Sequence, residues 1–205
     1  MPPLVVLDRQ HSGHPTRRNS GGAWFDIDGD GRRDQWERET QLVPYYTLAA
    51  ENHLREHGID VIPISDGRYS ERHERACAYG ADIYVACHLN AGGGTWGNAF
   101  FDRRSTGGRA LAQLAAAQLE VYCPELTSAR STACWDDRPL AGDNAWLWRP
   151  FVTIRGVYTG RPAGLCFEPA FMDQPAHAHL LRPEGLARVG LALATAILDH
   201  LGVHP

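Results

Sequence analysis

Short apolar runs alternating with helical stretches constrain this chain more than any other feature. LVVLD (4–8), IDVIPI (59–64), DIYVACHLNA (82–91), GNAFFD (97–102) and GLCFEPAF (164–171) read as buried strands, being short and rich in β-branched and aromatic residues. Between them, Trp36, Val43, Tyr46, Ala50 and Leu54 fall on one face of a helix predicted from Gln35 to His57. Pro44, with no N–H to donate, is expected to kink that helix or mark a restart, and Gly58 to stop it. Further helices are predicted over 68–79, 107–122 and 183–202. The alternation predicts an α/β fold, a single domain over 1–205 with a mostly parallel, twisted sheet and helices on both faces. Residues 9–34 read as a long loop and 123–150 as an irregular segment bearing Trp135, Trp146 and Trp148.

A length of 205 residues with 43% hydrophobic content suits one globular core. The net charge of −4 brings no dense basic patch, so nucleic acid is not an expected partner. No apolar run approaches the roughly 18–20 residues of a membrane span. MPPLVVLD lacks the charged and long apolar regions of a secretory signal. The 5 cysteines include no C-x-x-C and suggest neither a zinc ribbon nor a disulfide framework. Cys123 and Cys134 flank a loop-like stretch and are the pair placed to bridge in an oxidising compartment; otherwise all are small apolar residues.

Polar groups gather where strands end. Asp8 and His11 follow the first strand, His88 and Asn90 the third, and Glu168 closes GLCFE. In a parallel sheet these ends converge on one edge, where ligands bind in such folds. Two histidines, a carboxylate and an open position make a catalytic zinc site.

VVLDRQH resembles the opening strand and D-x-G-H of the zinc-dependent N-acetylmuramoyl-L-alanine amidases of the amidase_3 type. RHERACAYGADIYVACHLNA resembles that family's R-x-x-x-A-N and H-x-N-A blocks, with Arg72 at the arginine and His88 as the second histidine; CFEPAFMD resembles its E-x-G-F block. The likeness runs in order from residue 4 to about 201. Three positions depart from the pattern: Gln10 replaces the glycine before the histidine, Cys77 the asparagine, and Ala170 the late glycine. His14 is near enough to compete with His11.

The resemblance implies zinc held by His11, His88 and a glutamate at the start of the first helix, where Glu37 and Glu39 both stand. The surrounding stretch FDIDGDGRRDQWERE (25–39) decides between them. Asp26, Asp28, Asp30, Gly31, Asp34 and Glu37 match the twelve-residue EF-hand loop, with Arg32 offering its carbonyl at position seven. Arg33, at a position usually apolar in paired loops, suits a single unpaired one. With Glu37 committed to a structural calcium over 26–37, Glu39 is left for zinc; on one helix the two would point about 160° apart.

The implied activity is peptidoglycan hydrolysis at the amide between N-acetylmuramic acid and L-alanine, with Glu168 handling the water's proton and Asn90 contacting substrate. Asp8 either orients His11 or closes a strand-end turn. Trp146 and Trp148 either line a substrate groove within 123–150 or belong to the core. The implied place of work is the cell wall, as a phage-released lysin or a secreted or periplasmic enzyme, and a monomer is expected. Two other readings compete: a carboxypeptidase-like or N-acyl-amino-acid amidohydrolase, whose H-E-x-x-H form is missing, and a non-catalytic calcium-dependent wall binder.

Overall fold

The computed structural model describes residues 1–13, 15, 21–134 and 162–203. Its strands are β1 (Leu4–Arg9), β2 (Asp60–Ile64), β3 (Ile83–Cys87), β4 (Gly97–Asp102), β5 (Ala129–Cys134) and β6 (Ala163–Glu168). They form one 6-stranded sheet in the order β2-β1-β3-β6-β4-β5. β2, β1, β3 and β6 run parallel; β4 pairs antiparallel to β6, and β5 follows β4. The sheet is therefore mostly parallel, as expected, with a reversed pair at one edge. The carboxyl ends of β1, β3 and β6 meet the amino ends of β4 and β5.

The helices are α1 (Glu39–Glu56), α2 (Tyr69–Ala78), α3 (Thr106–Tyr122) and α4 (Pro183–Leu201). α4 packs on both α1 and α3. Val5, Leu7, Val85, Leu165 and Phe167 face these helices together with Leu54, Leu111, Leu119 and Leu193, in the larger core. Burying such a side chain contributes roughly 1.5–3 kcal/mol. Alternate strand residues, Val6, Tyr84, Ala86, Phe100 and Cys166, face the other way and pack with Ala76 of α2. No helix among the described residues is long and apolar enough to cross a membrane.

Three local expectations change. The helix predicted from Gln35 is split into a 3-10 turn, Gln35–Glu37, an extended Arg38 (ψ 141°), and α1 beginning at Glu39. The restart falls at Arg38, and α1 runs on through Pro44. Pro44 is the sixth residue of α1, past the first turn, so its missing N–H costs the helix the bond that the Thr40 carbonyl would accept. The segment 123–150 is not wholly irregular, because β5 occupies Ala129–Cys134 as an edge strand. Cys123 is a buried thiol at the end of α3 rather than half of a disulfide; burial raises its pKa to about 12. His14, Trp135, Trp146 and Trp148 lie outside the described residues.

Candidate active site

His11, Glu39 and His88 come from the loop after β1, the first turn of α1 and the end of β3, and their donor atoms lie within 4.8 Å of one another. Glu39 bridges the rings, with Oε2 3.4 Å from His11 Nε2 and Oε1 3.0 Å from His88 Nδ1. The two imidazoles meet edge to face at 5.0 Å. The backbone amides of Ala23 and Leu89 donate to Glu39 Oε2 and Oε1, each at 3.0 Å. Burial alone would raise the Glu39 carboxyl; the His88 hydrogen bond and both histidine charges bring it down to about 2. A buried carboxylate between two ring nitrogens is a donor set that suits a divalent zinc-type ion. Glu37 is excluded from this group by the Arg38 break: the two glutamates diverge because they lie on different elements, not on opposite sides of one helix.

Glu168, at the end of β6, opens into the same pocket of about 280 Å³, lined by His11, Glu39, His88, Leu89, Asn90, Ala91 and Glu168. Burial, reinforced by the Glu39 charge and opposed by His88, pushes the Glu168 carboxyl up to about 7. A carboxyl titrating near neutrality beside a metal-type cluster is suited to carry a proton in either direction. Asn90 is held by backbone pairing with the loop after β6, its N–H donating to Ala170 O and its carbonyl accepting from Met172 N, both at 2.8 Å. Asp173 accepts from the amides of Gly92 and Gly93, fixing the turn beyond it.

Behind His11 lies a charge network that the sequence reading did not resolve. Arg72 of α2 is fully buried and donates to Asp8 Oδ1 at 2.7 Å. It also donates to the carbonyls of Arg9, Ser12 and Gly67, at 3.2, 2.6 and 3.0 Å. Tyr84 and Gln10 donate to Asp8 Oδ2. Asp8 therefore does not orient the His11 ring in the expected direct way. It anchors the guanidinium that clamps the chain on both sides of His11. The ring meets Tyr69 instead, whose hydroxyl lies 2.7 Å from His11 Nδ1. His11 takes φ 64°, a left-handed conformation that favours glycine and that the clamp imposes on a side chain. Gln10, where the resembling motif has glycine, is fully buried and serves this network. The signal for Tyr69 was its spacing, three residues before Arg72 on one helical face.

In the acid-rich loop, Asp26, Asp28 and Asp30 each bring a carboxylate oxygen within 4.8 Å of the others. Glu37 and Asp34 do not join that cluster. Glu37 is buried and accepts from the amides of Ile27 and Asp28 through Oε1, at 2.5 and 3.3 Å, and of Asp34 through Oε2 at 2.6 Å. Asp26 accepts from Gly29 and Gly31, both of positive φ, which makes the tight turn.

No family model and no curated protein matches the chain. Solved structures do. Cwp6 from Clostridium difficile superposes with a TM-score of 0.73 at 18% identity, over 98% of this chain and 30% of that one. The N-acetylmuramoyl-L-alanine amidase AmiC2 of Nostoc punctiforme gives 0.70 at 18% identity, over 98% of this chain and 97% of that one. The catalytic domain of CwlV, an N-acetylmuramoyl-L-alanine amidase from Bacillus (Paenibacillus) polymyxa var. colistinus, gives 0.69 at 18%, over 98% and 99%. At such identities the likeness is one of fold, and this chain has the α/β fold that those amidase domains have.

Proposed function

We propose that the chain is a zinc-dependent N-acetylmuramoyl-L-alanine amidase, a peptidoglycan hydrolase that cuts the amide between the lactyl group of N-acetylmuramic acid and L-alanine of the stem peptide. The observation that carries this reading is the meeting of His11, Glu39, His88 and Glu168 in one open pocket. The amidase fold of AmiC2 and CwlV supports it. Its place of work would be the cell wall, with peptidoglycan as partner.

His11, Glu39 and His88 would hold the zinc, whose chemistry is to lower the pKa of a coordinated water and polarise the scissile carbonyl. Glu39 brings a negative charge that both ring nitrogens face, and the amides of Ala23 and Leu89 hold its carboxylate in place, so the three would present their donors together. Tyr69 fixes the His11 ring from behind. Glu168 takes the proton of the attacking water and returns it to the nitrogen of the departing alanine, a double use that a carboxyl near neutrality permits. Asn90 would meet the substrate beside the metal.

In the same proposal, 26–37 is a structural calcium loop, with Asp26, Asp28 and Asp30 at its centre and the Arg32 carbonyl, Asp34 and Glu37 completing it. The ion would compete with the backbone amides that Glu37 accepts.

Elemental analysis before and after mild chelation, paired with turbidity loss of a peptidoglycan suspension, tests both parts. One zinc and one calcium per chain, with lysis restored by zinc, is the expected result. Zinc without calcium would keep the amidase and reduce 26–37 to a turn braced by Glu37. No zinc and no lysis would end the reading.

A further inference from the structure

The polar row of the pocket does not stop at Glu168. Glu168 pairs with Asn98 of β4, and Asn98 pairs with Arg130 of β5. Directly paired residues project from the same face of a sheet, and neighbouring strands lie about 4.8 Å apart. Glu168, Asn98 and Arg130 therefore form a line across the sheet, on the face that carries Ala86, Cys166 and Phe100. The backbone of Arg130 stands about 10 Å beyond that of Glu168, two strand spacings away.

This outer part of the row is built to receive a charge. The Arg130 guanidinium is held 4.3 Å above the Trp96 ring, which packs edge-on to Phe171 at 5.1 Å. Among the described residues the Arg130 guanidinium has no carboxylate and no hydrogen-bond partner; Arg9, Arg55, Arg72, Arg75, Arg104 and Arg188 each have a carboxylate. Asn98, nearly buried, accepts from the Thr132 hydroxyl at 2.9 Å through Oδ1, which leaves its amide N–H groups without an acceptor among the described residues. Two sets of donors, one cationic, thus lie in line beyond Glu168 with no acceptor among the described residues.

Direction follows from the chemistry. The scissile carbonyl must lie at His11, Glu39 and His88, and the departing nitrogen at Glu168. What continues past Glu168, away from the histidines, is the leaving peptide. A peptide advances about 3.5 Å per residue, so its second residue extends from about 3.5 to about 7 Å beyond that nitrogen, past Asn98 and toward Arg130. In the stem peptide that residue is a D-glutamate joined onward through its side chain, with its α-carboxyl either free or amidated.

We infer that Asn98 and Arg130, with Trp96 under the guanidinium, form a subsite for the free α-carboxylate of the second stem-peptide residue. The inference rests on the amidase reading and adds a specificity to it. Arg130 provides a charge-assisted, forked contact that an amide cannot match. Asn98 donates a further hydrogen bond, and Trp96 keeps the guanidinium in place without neutralising it.

The test uses the full, zinc-loaded chain carrying Glu168→Gln, so that ligand is not consumed. Calorimetry compares N-acetylmuramyl-L-alanyl-D-glutamate with its D-isoglutamine counterpart. The acid is expected to bind about tenfold more tightly or better, the usual scale of a charge-assisted contact. Adding Arg130→Ala should erase that preference, and Arg130→Lys should keep part of it. Arg130 is exposed on an edge strand, so circular dichroism of the variants should match the parent. Equal binding of acid and amide, no binding of either, or a preference that survives Arg130→Ala would each overturn the subsite. Cleavage by the chain with Glu168 intact is read separately: selective binding through Arg130 with no release of L-alanyl peptide would end the amidase reading and leave the subsite standing.

Discussion

Glu168 shows how one residue is tuned by where its strand ends. Its carboxyl is nearly buried, beside the Glu39 charge, and titrates at about 7 instead of in the usual carboxylate range. Glu168→Gln should keep the zinc content of the parent while turnover falls about 10²–10⁴-fold, the range for losing a general acid–base. The ionised form is the base, so activity should fall as pH drops through the Glu168 pKa. A bound cation pulls that limb below 7. The same shift bears on stability in the metal-free protein. A carboxyl whose folded pKa lies above its unfolded one costs stability as pH rises from the ordinary value to about 7, and the full cost is present above it. With chelator at pH 8, Glu168→Gln should therefore melt higher than the parent, and the two should converge near pH 4. A lower melting point for the variant at pH 8 would show that the carboxylate has a stabilising partner.

At the scale of elements, the site depends on two contacts between neighbours. Arg72 joins α2 to the loop after β1, satisfying a buried carboxylate and three carbonyls. Removing one partner of a buried pair leaves the other uncompensated, so Arg72→Ala should cost about 3–5 kcal/mol in urea denaturation. Arg72→Lys keeps the charge but loses the fork. It should weaken zinc binding more than it weakens folding, because the carbonyls flanking His11 lose their clamp. The second contact is where α4 crosses α1. A Cβ at Gly190 would run into the Tyr46 carbonyl and the Ala49 side chain. Since backbone yields little, Gly190→Ala should push the helices apart and destabilise the fold by about 1–3 kcal/mol. Gly29 has open space around its missing Cβ, so a substitution there would be strained only by the φ of 76°.

For the whole molecule, the metal-type cluster ties together three parts of the chain far apart in sequence: residues 11, 39 and 88. An ion that binds the folded form alone stabilises it by mass action, about 2.7 kcal/mol at a hundredfold excess over its Kd. Chelation should lower the thermal midpoint, and zinc should restore it in the parent but not in His88→Ala. Equal midpoints with and without zinc would mean that no ion bridges these elements.

The strands and helices were legible in the sequence because each needs only local information. Period and length mark GNAFFD and the helix predicted over 183–202; β4 lies where the pattern put it, and α4 ends one residue earlier, at Leu201. His11, His88 and Glu168 were legible as a group because a parallel sheet forces successive strand ends to one edge, whereas Glu39, on a helix, was singled out by the family resemblance and the spacing of the acid-rich loop. Other features depended on neighbours that no local pattern reveals. The reversal of β4 is set by pairing across the sheet, and the strand β5 by the edge that β4 offers. Arg38 breaks the helix predicted from Gln35, where Glu37 is held by amides of the acid-rich loop. The Asp8–Arg72 pair spans 64 residues of sequence, so its burial and its hold on His11 belong to packing. So does the row from Glu168 through Asn98 to Arg130: register aligns residues from three strands, and register is decided only when the sheet closes.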